Sequence, residues 1–197
     1  MRLSSRFLLL LAALALGVAA LASVALVVLP GRGIVATQPS SVGGPFRLMD
    51  HNGRNVTEAD FAGRPFLVFF GFTHCPDICP TTLFEISETL NRLGPAADGA
   101  AALFITVDPA RDTPERLKQY VSSFHPRIYG LTGTQDEIDA VVKAYRAYAK
   151  KVPLEGGDYT MDHTAFVYLF DRDGRFVAPF NLRRGVDAAA ADMRRYL

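Results

Sequence analysis

Cysteine is almost absent from this chain: there are two in 197 residues. That excludes a disulfide-framework scaffold, which needs several bridges. It also speaks against a structural zinc site, which wants four protein ligands where no second cysteine pair exists. An excess of either charge is missing as well. Against 21 Lys and Arg stand 20 Asp and Glu, for a formal net charge of +1. No basic stripe or RNA-binding motif accompanies that balance, so nothing points to nucleic acid. The short pairs Arg183-Arg184 and Arg194-Arg195 read as a solvated helix face. Repeats are absent, and low complexity is confined to one short stretch near the N-terminus.

What is present begins with an apolar run. Phe7 to Leu29 carries no charge and is bounded by Arg6 and Pro30. As a helix it is long enough to cross a hydrocarbon core of about 30 Å. Arg2 and Arg6 precede it, so the positive-inside rule puts the N-terminus in the cytoplasm and the remainder outside. A cleaved signal peptide, with Ala20-Leu21-Ala22 as the small-residue site, is the alternative. The run continues past that site to Leu29, which favours an uncleaved anchor. No cysteine follows the run, which excludes a lipoprotein anchor. The expected organisation is a membrane anchor over 1–30, a flexible tether over 31–44 and a folded domain over 45–197. A tether of that composition spans on the order of 20 Å. The expected setting is a bacterial inner membrane, single-pass, with the folded domain in the periplasm and working close to the bilayer.

The folded part reads as α/β. Phe66 to Phe70, Ala101 to Val107 and Ala165 to Phe170 are continuous apolar runs, the pattern of strands buried on both faces. Phe46 to Met49 leads into Asn52-Gly53, a hairpin signal. Asp173-Gly174 turns the last run into a further strand over Arg175 to Pro179. Three helical stripes lie between the runs. Leu83, Ile86, Leu90 and Leu93 stop at Gly94-Pro95. Leu117, Tyr120, Val121 and Phe124 follow Thr113-Pro114. Ile138, Val141, Val142 and Tyr145 follow a capping box of Thr134 and Glu137, with Lys150-Lys151 expected at the helix C-terminus. A last helix is expected from Asp187 to Tyr196. The whole predicts a mixed central sheet flanked by helices.

The two cysteines fall together, in Gly71-Phe72-Thr73-His74-Cys75-Pro76-Asp77-Ile78-Cys79-Pro80, directly after an apolar strand. As a staple, a loop this short would contribute only about 2 kcal/mol in the chain-entropy model. Redox or metal chemistry is the better use of the pair. Each cysteine precedes a proline, which disfavours helical geometry there, while Pro80 suits the first turn of the following helix. A loop wrapped over a helix N-terminus is expected, accessible to solvent and with both thiols shifted toward thiolate. Two thiolates suit Cu(I) or zinc. Of the four histidines, His51 beside its turn reads as exposed, His125 before Pro126 as a loop residue, and His74 as pointing away from its neighbour Cys75. His163, immediately before the strand Ala165 to Phe170, is the candidate third ligand, with a hydrogen-bonded loop histidine as its alternative.

Taken together, Gly71 to Pro80, Thr106-Val107-Asp108-Pro109 with Arg111-Asp112-Thr113-Pro114, and Asp162-His163-Thr164 resemble the Sco/SenC family. Its members are membrane-anchored, thioredoxin-like copper proteins of cytochrome c oxidase assembly. The resemblance runs from about Val42 to the C-terminus and includes the anchor. It implies a thioredoxin-like sandwich in which Cys75, Cys79 and His163 bind Cu(I); Cu(II) would call on a further ligand that the sequence does not identify. Asp162, Asp77 and Asp108 match family positions and are expected to support the site or fold, and Met161 to pack nearby. Where thioredoxin-like oxidoreductases place a cis-proline before the facing strand, this chain has His163 before Thr164.

Two functions follow from the resemblance. In the first, the chain is a periplasm-facing metallochaperone. It takes copper from a periplasmic donor and passes it to the two-copper site in the periplasmic subunit of cytochrome c oxidase. In the second, Cys75 and Cys79 are a redox-active pair. The chain is then a thiol–disulfide oxidoreductase that reduces the cysteines of that copper site, supplied by a thiol reductant. Cys75 would attack and Cys79 resolve. No conventional peroxidase motif surrounds Cys75.

Overall fold

Strand β3 (Phe66–Gly71) and strand β4 (Ala101–Thr106) are buried at every position, as expected of apolar runs without alternation. They pair in parallel, Phe66 opposite Ala101 through Gly71 opposite Thr106. The computed structural model that shows this describes residues 42–197, together with Gly17 and Val18. The expected anchor, apart from Gly17 and Val18, and the tether up to residue 41 lie outside the described residues. Among the described residues no helix is long and apolar enough to cross a membrane.

The sheet is mixed and seven-stranded, in the order β2-β1-β5-β4-β3-β8-β9. β1 (Arg47–Asp50) and β2 (Asn55–Thr57) form the expected N-terminal hairpin. β5 (Ile128–Thr132) extends the parallel part beside β4. β8 (Val167–Phe170) and β9 (Phe176–Phe180) complete the other side as an antiparallel pair. Within residues 42–197 the α-helices are α1 (Ile78–Leu93), α2 (Pro114–Val121), α3 (Gln135–Ala144) and α4 (Val186–Arg194). α1 buries Leu83, Ile86, Leu90 and Leu93, then stops at Gly94, whose φ of 59° suits a residue without a β-carbon. Thr113 caps α2 by accepting from the Arg116 N–H at 3.3 Å, with Pro114 at the first position. The Thr134–Glu137 capping box is formed. The expected thioredoxin-like α/β sandwich with a mixed central sheet is therefore the fold observed.

Two segments depart from the expectation. Lys150-Lys151 do not end a helix. α3 stops at Ala144, and the lysines lie in strand β6 (Ala149–Pro153), paired with β7 (Tyr159–His163) as a separate two-stranded sheet. The reason is Tyr145, which is 1% exposed and packs among the rings of Phe46, Phe70 and Phe170. That burial pins the helix end, and Arg146 takes a φ of 50° as the chain turns away. Secondly, the strand expected from Ala165 begins at Val167, with Ala165 and Phe166 exposed. Just upstream, Thr164 exchanges hydrogen bonds with Tyr148: its N–H donates to the Tyr148 carbonyl at 3.0 Å, and its hydroxyl accepts from the Tyr148 N–H at 2.8 Å. These bonds draw the chain into the β6–β7 hairpin before it joins the sheet.

Candidate metal centre

The central strand β3 ends at Gly71, and the chain turns through Phe72 to Asp77 into α1. Cys79 is the second residue of that helix and Pro80 the third, so the first turn forms despite the restriction that Pro80 places on Cys79. Asp77 at the N-cap position gives no side-chain cap. The free N–H of Cys79 instead points at Cys75 Sγ, 3.4 Å away. One sulfur thus lies over the helix N-terminus, as expected, while the other belongs to the helix itself.

Burial corrects the expectation of an open loop. Cys79 is 0% exposed and Cys75 9%. The enclosure works against the helix terminus at Cys79: burial pushes its thiol well above the ordinary thiol range, the Phe72 backbone hydrogen bond pulls the other way, and Cys75 adds to the rise. Ready formation of a Cys79 thiolate in the metal-free fold is therefore not what the structure supports. Both cysteines are free thiols.

His163 is the last residue of β7, and its Nε2 lies 3.6 Å from Cys79 Sγ. Its Nδ1 lies 3.0 Å from the Thr164 carbonyl oxygen. A carbonyl can only accept, so Nδ1 carries the proton, which leaves Nε2 as the ring nitrogen that can serve as donor to a metal beside the sulfurs. Phe69 and Phe72 meet the imidazole edge-on, with centroids 6.2 and 5.7 Å away. The ligand atoms of Cys75, Cys79 and His163 all lie within 4.8 Å of one another. Two sulfurs and one neutral imidazole nitrogen form a soft, three-donor set of the kind that suits Cu(I). No cis peptide bond occurs among the described residues, so the Asp162-His163-Thr164 segment is trans throughout.

The other histidines are placed elsewhere. His74 is exposed, near the Arg116 guanidinium at 3.2 Å, and points away from the thiols as expected. His51 is half-buried rather than exposed: its Nδ1 accepts the Gly130 N–H at 3.1 Å, and burial holds its pKa below the usual value. His125 accepts the Arg127 N–H at 3.2 Å. Of the three acidic residues singled out, Asp77 and Asp162 are exposed and only Asp108 is buried. Met161 is half-buried and packs on the core.

Two supporting residues stand within the motifs quoted above, without a role assigned to them from the sequence. A β-carbon on Gly71 would lie 2.7 Å from Cys79 Sγ and 2.6 Å from the Phe104 ring, so the sulfur occupies the space that glycine leaves. Asp112 is 0% exposed. It accepts from the Thr73 N–H at 2.9 Å, the Thr73 hydroxyl at 2.6 Å and the Thr106 hydroxyl at 2.6 Å. This buried carboxylate fastens the segment before Cys75 to the end of β4.

A family model described as SCO1/SenC matches residues 35–197. The human protein named "Protein SCO1 homolog, mitochondrial" is 43% identical over 162 residues, a match that takes in 79% of this chain and 54% of that protein. The chain thus spans about half the length of that relative. Among solved structures, the fold is similar to Bradyrhizobium japonicum ScoI with copper bound, at 60% identity and a TM-score of 0.77, covering 79% of this chain and 99% of that one. It is also similar to yeast Sco1 with copper bound, at 42% identity and a TM-score of 0.69, covering 79% of this chain and 90% of that one.

Proposed function

Because the chain belongs to the SCO1/SenC family, we propose that it binds copper and serves in cytochrome c oxidase assembly. Cys75, Cys79 and His163 hold Cu(I), and the ion passes by ligand exchange to the two-copper site of the oxidase's copper-bearing periplasmic subunit. The observation that carries this reading is the meeting of two sulfurs and an imidazole Nε2 within 4.8 Å, from elements far apart in sequence. Copper-bound relatives of the same fold support the choice of ion. Copper is cargo here. A set of three donors leaves a coordination position open to an incoming ligand, and His163, half-buried, is the least enclosed of the three.

The organisation that fits this role is an anchor over 1–30, a tether over 31–44 and the copper domain over 45–197. The N-terminus is cytoplasmic and the domain faces the periplasm from a bacterial inner membrane. The deciding experiment is anaerobic Cu(I) titration of the reduced full chain in mild detergent, against a competing chelator, with His163→Ala alongside. One copper per chain, weakened by at least about tenfold in the variant, is expected. Binding indifferent to His163 would overturn the ligand set.

The difference between the two sulfurs favours a second reading, thiol–disulfide exchange on the oxidase's copper-site cysteines. Both sulfurs are buried, but Cys75 at 9% exposure is less enclosed than Cys79 at 0%, the order that an attacking and a resolving thiol would take. Under this reading His163→Ala retains full reductase activity and supports oxidase assembly at limiting copper. Under copper delivery the same variant fails in assembly.

A further inference from the structure

His163 sits at the end of a hairpin that is not part of the main sheet, whereas both sulfurs belong to the main body. Something must hold the hairpin down for the three donors to meet. Tyr159 opens β7, and side chains four residues apart on a strand share a face, so Tyr159 and His163 lie on the same side. The Tyr159 hydroxyl donates to Asp108 Oδ1 at 2.9 Å. Arg111 pairs with the same carboxylate through Nε. Its Nη1 donates to the Tyr159 carbonyl at 3.1 Å, and its guanidinium lies 3.7 Å from the Tyr159 ring centroid. Lys151, across the hairpin on β6, places its Nζ 3.6 Å from the same ring. The side chains of Arg111 and Asp108 are 18% and 4% exposed, so this pair is largely withdrawn from water, where such contacts gain strength, while Tyr159 is half-buried and Lys151 is exposed. Arg111 also lies 5.8 Å from the Phe72 ring, which itself meets the His163 imidazole edge-on.

The connection between β4 and α2 therefore grips both halves of the site. Asp112 holds the thiol segment through Thr73, and Asp108 with Arg111 holds the histidine hairpin through Tyr159. We propose that Arg111 and Tyr159 are positioning residues that latch the β6–β7 hairpin and set His163 against the thiols, and that opening the latch withdraws the imidazole while the two sulfurs keep the ion. This rests on the reading of His163 as a copper ligand. The step is ligand dissociation alone, with no electron transferred.

The test uses the reduced full chain in mild detergent with Arg111→Ala, Arg111→Lys and Tyr159→Phe. Arg111→Ala strips the cation from the enclosed Asp108, whereas Tyr159→Phe keeps that ion pair and removes only the hydroxyl. In the metal-free protein, amide hydrogen exchange over residues 149–163 should quicken by about tenfold or more in Arg111→Ala, and less in Tyr159→Phe, with β3 and β4 unchanged. Exchange that is unchanged, or that quickens throughout the molecule, overturns the latch. Anaerobic Cu(I) competition should show about tenfold weaker binding in Arg111→Ala and no further loss when it is combined with His163→Ala. X-ray absorption should show a nitrogen lost and two sulfurs kept. Equal losses in both backgrounds, no loss, or full rescue by Arg111→Lys, which keeps the charge without the planar fork, would each overturn it. Should His163→Ala alone bind copper like the parent, the ligand reading fails, and the metal-free exchange still decides the latch.

Discussion

At Gly71 the space that a methyl group would fill is taken by Cys79 Sγ and the Phe104 ring. Gly71→Ala must therefore displace the sulfur or the ring, both held in a packed interior. Overpacking of this kind costs about 1–3 kcal/mol. The expected outcome is a lower urea midpoint together with weaker Cu(I) binding; an unchanged copper affinity would show that the sulfur has freedom to move. Asp112 is the second residue whose value is local. Replacing it by Ala leaves the buried Thr106 hydroxyl and the half-buried Thr73 N–H and hydroxyl without their acceptor. Each lost buried partner costs about 1–3 kcal/mol. Asp112→Ala should be among the more destabilising single changes in the domain, as denaturant unfolding would show.

Among the elements, the start of α3 is held by a device that the sequence already announced. The Thr134–Glu137 capping box starts α3 on the exposed side of the fold. Thr134→Ala should cost about 1 kcal/mol of stability and leave copper affinity untouched, because neither partner approaches the sulfurs. The β1–β2 turn is built around Asp50, which is 0% exposed. Burial alone would raise its pKa. The N–H groups of Arg54 and Asn52 and the Arg54 guanidinium outweigh that, and the net shift is downward. A carboxylate whose folded pKa is depressed adds stability that is fully present above its unfolded pKa of about 3.9 and lost as pH falls through the folded value. Asp50→Asn should therefore lower stability at neutral pH and flatten the acid limb of the stability–pH curve below about pH 4. An acid limb identical to the parent's would refute the assignment.

For the molecule as a whole, the site lies where β3 and β4 end at the middle of the sheet, and the hairpin reaches it from outside that sheet. Filling the site should tie the two parts together. Anything that binds the native state alone adds RT ln(1 + [L]/Kd), about 2.7 kcal/mol at a hundredfold excess over Kd. Cu(I) should accordingly raise the Tm of the reduced full chain, and raise it less in His163→Ala. An equal rise in both would mean that the ion is held by the sulfurs alone. Within the site the enclosure is graded: Cys79 on α1 is 0% exposed, Cys75 is buried at 9%, and His163 is half-buried.

Where chemistry depends on neighbours in the chain, it could be read directly. The strands β3 and β4 follow from apolar runs that only a doubly covered sheet accommodates, the helix starts from Thr113-Pro114 and Thr134 with Glu137, and the cysteine pair from its spacing. His163 is different. It lies 84 residues beyond Cys79, and spacing by itself could not bring the two together; the family resemblance pointed to it, and the fold carries it there. Lys150-Lys151 is a polar pair and Tyr159–His163 holds a single aliphatic-type residue, Met161, too short a signal to mark a strand; the hairpin they form follows from Tyr145 ending α3 inside the core. The enclosure of Cys79, the acceptor role of Asp112 and the contact of Tyr159 with Arg111 were likewise decided only by tertiary structure. Burial and side-chain approach are properties of what packs against a residue, and those partners come from other parts of the chain.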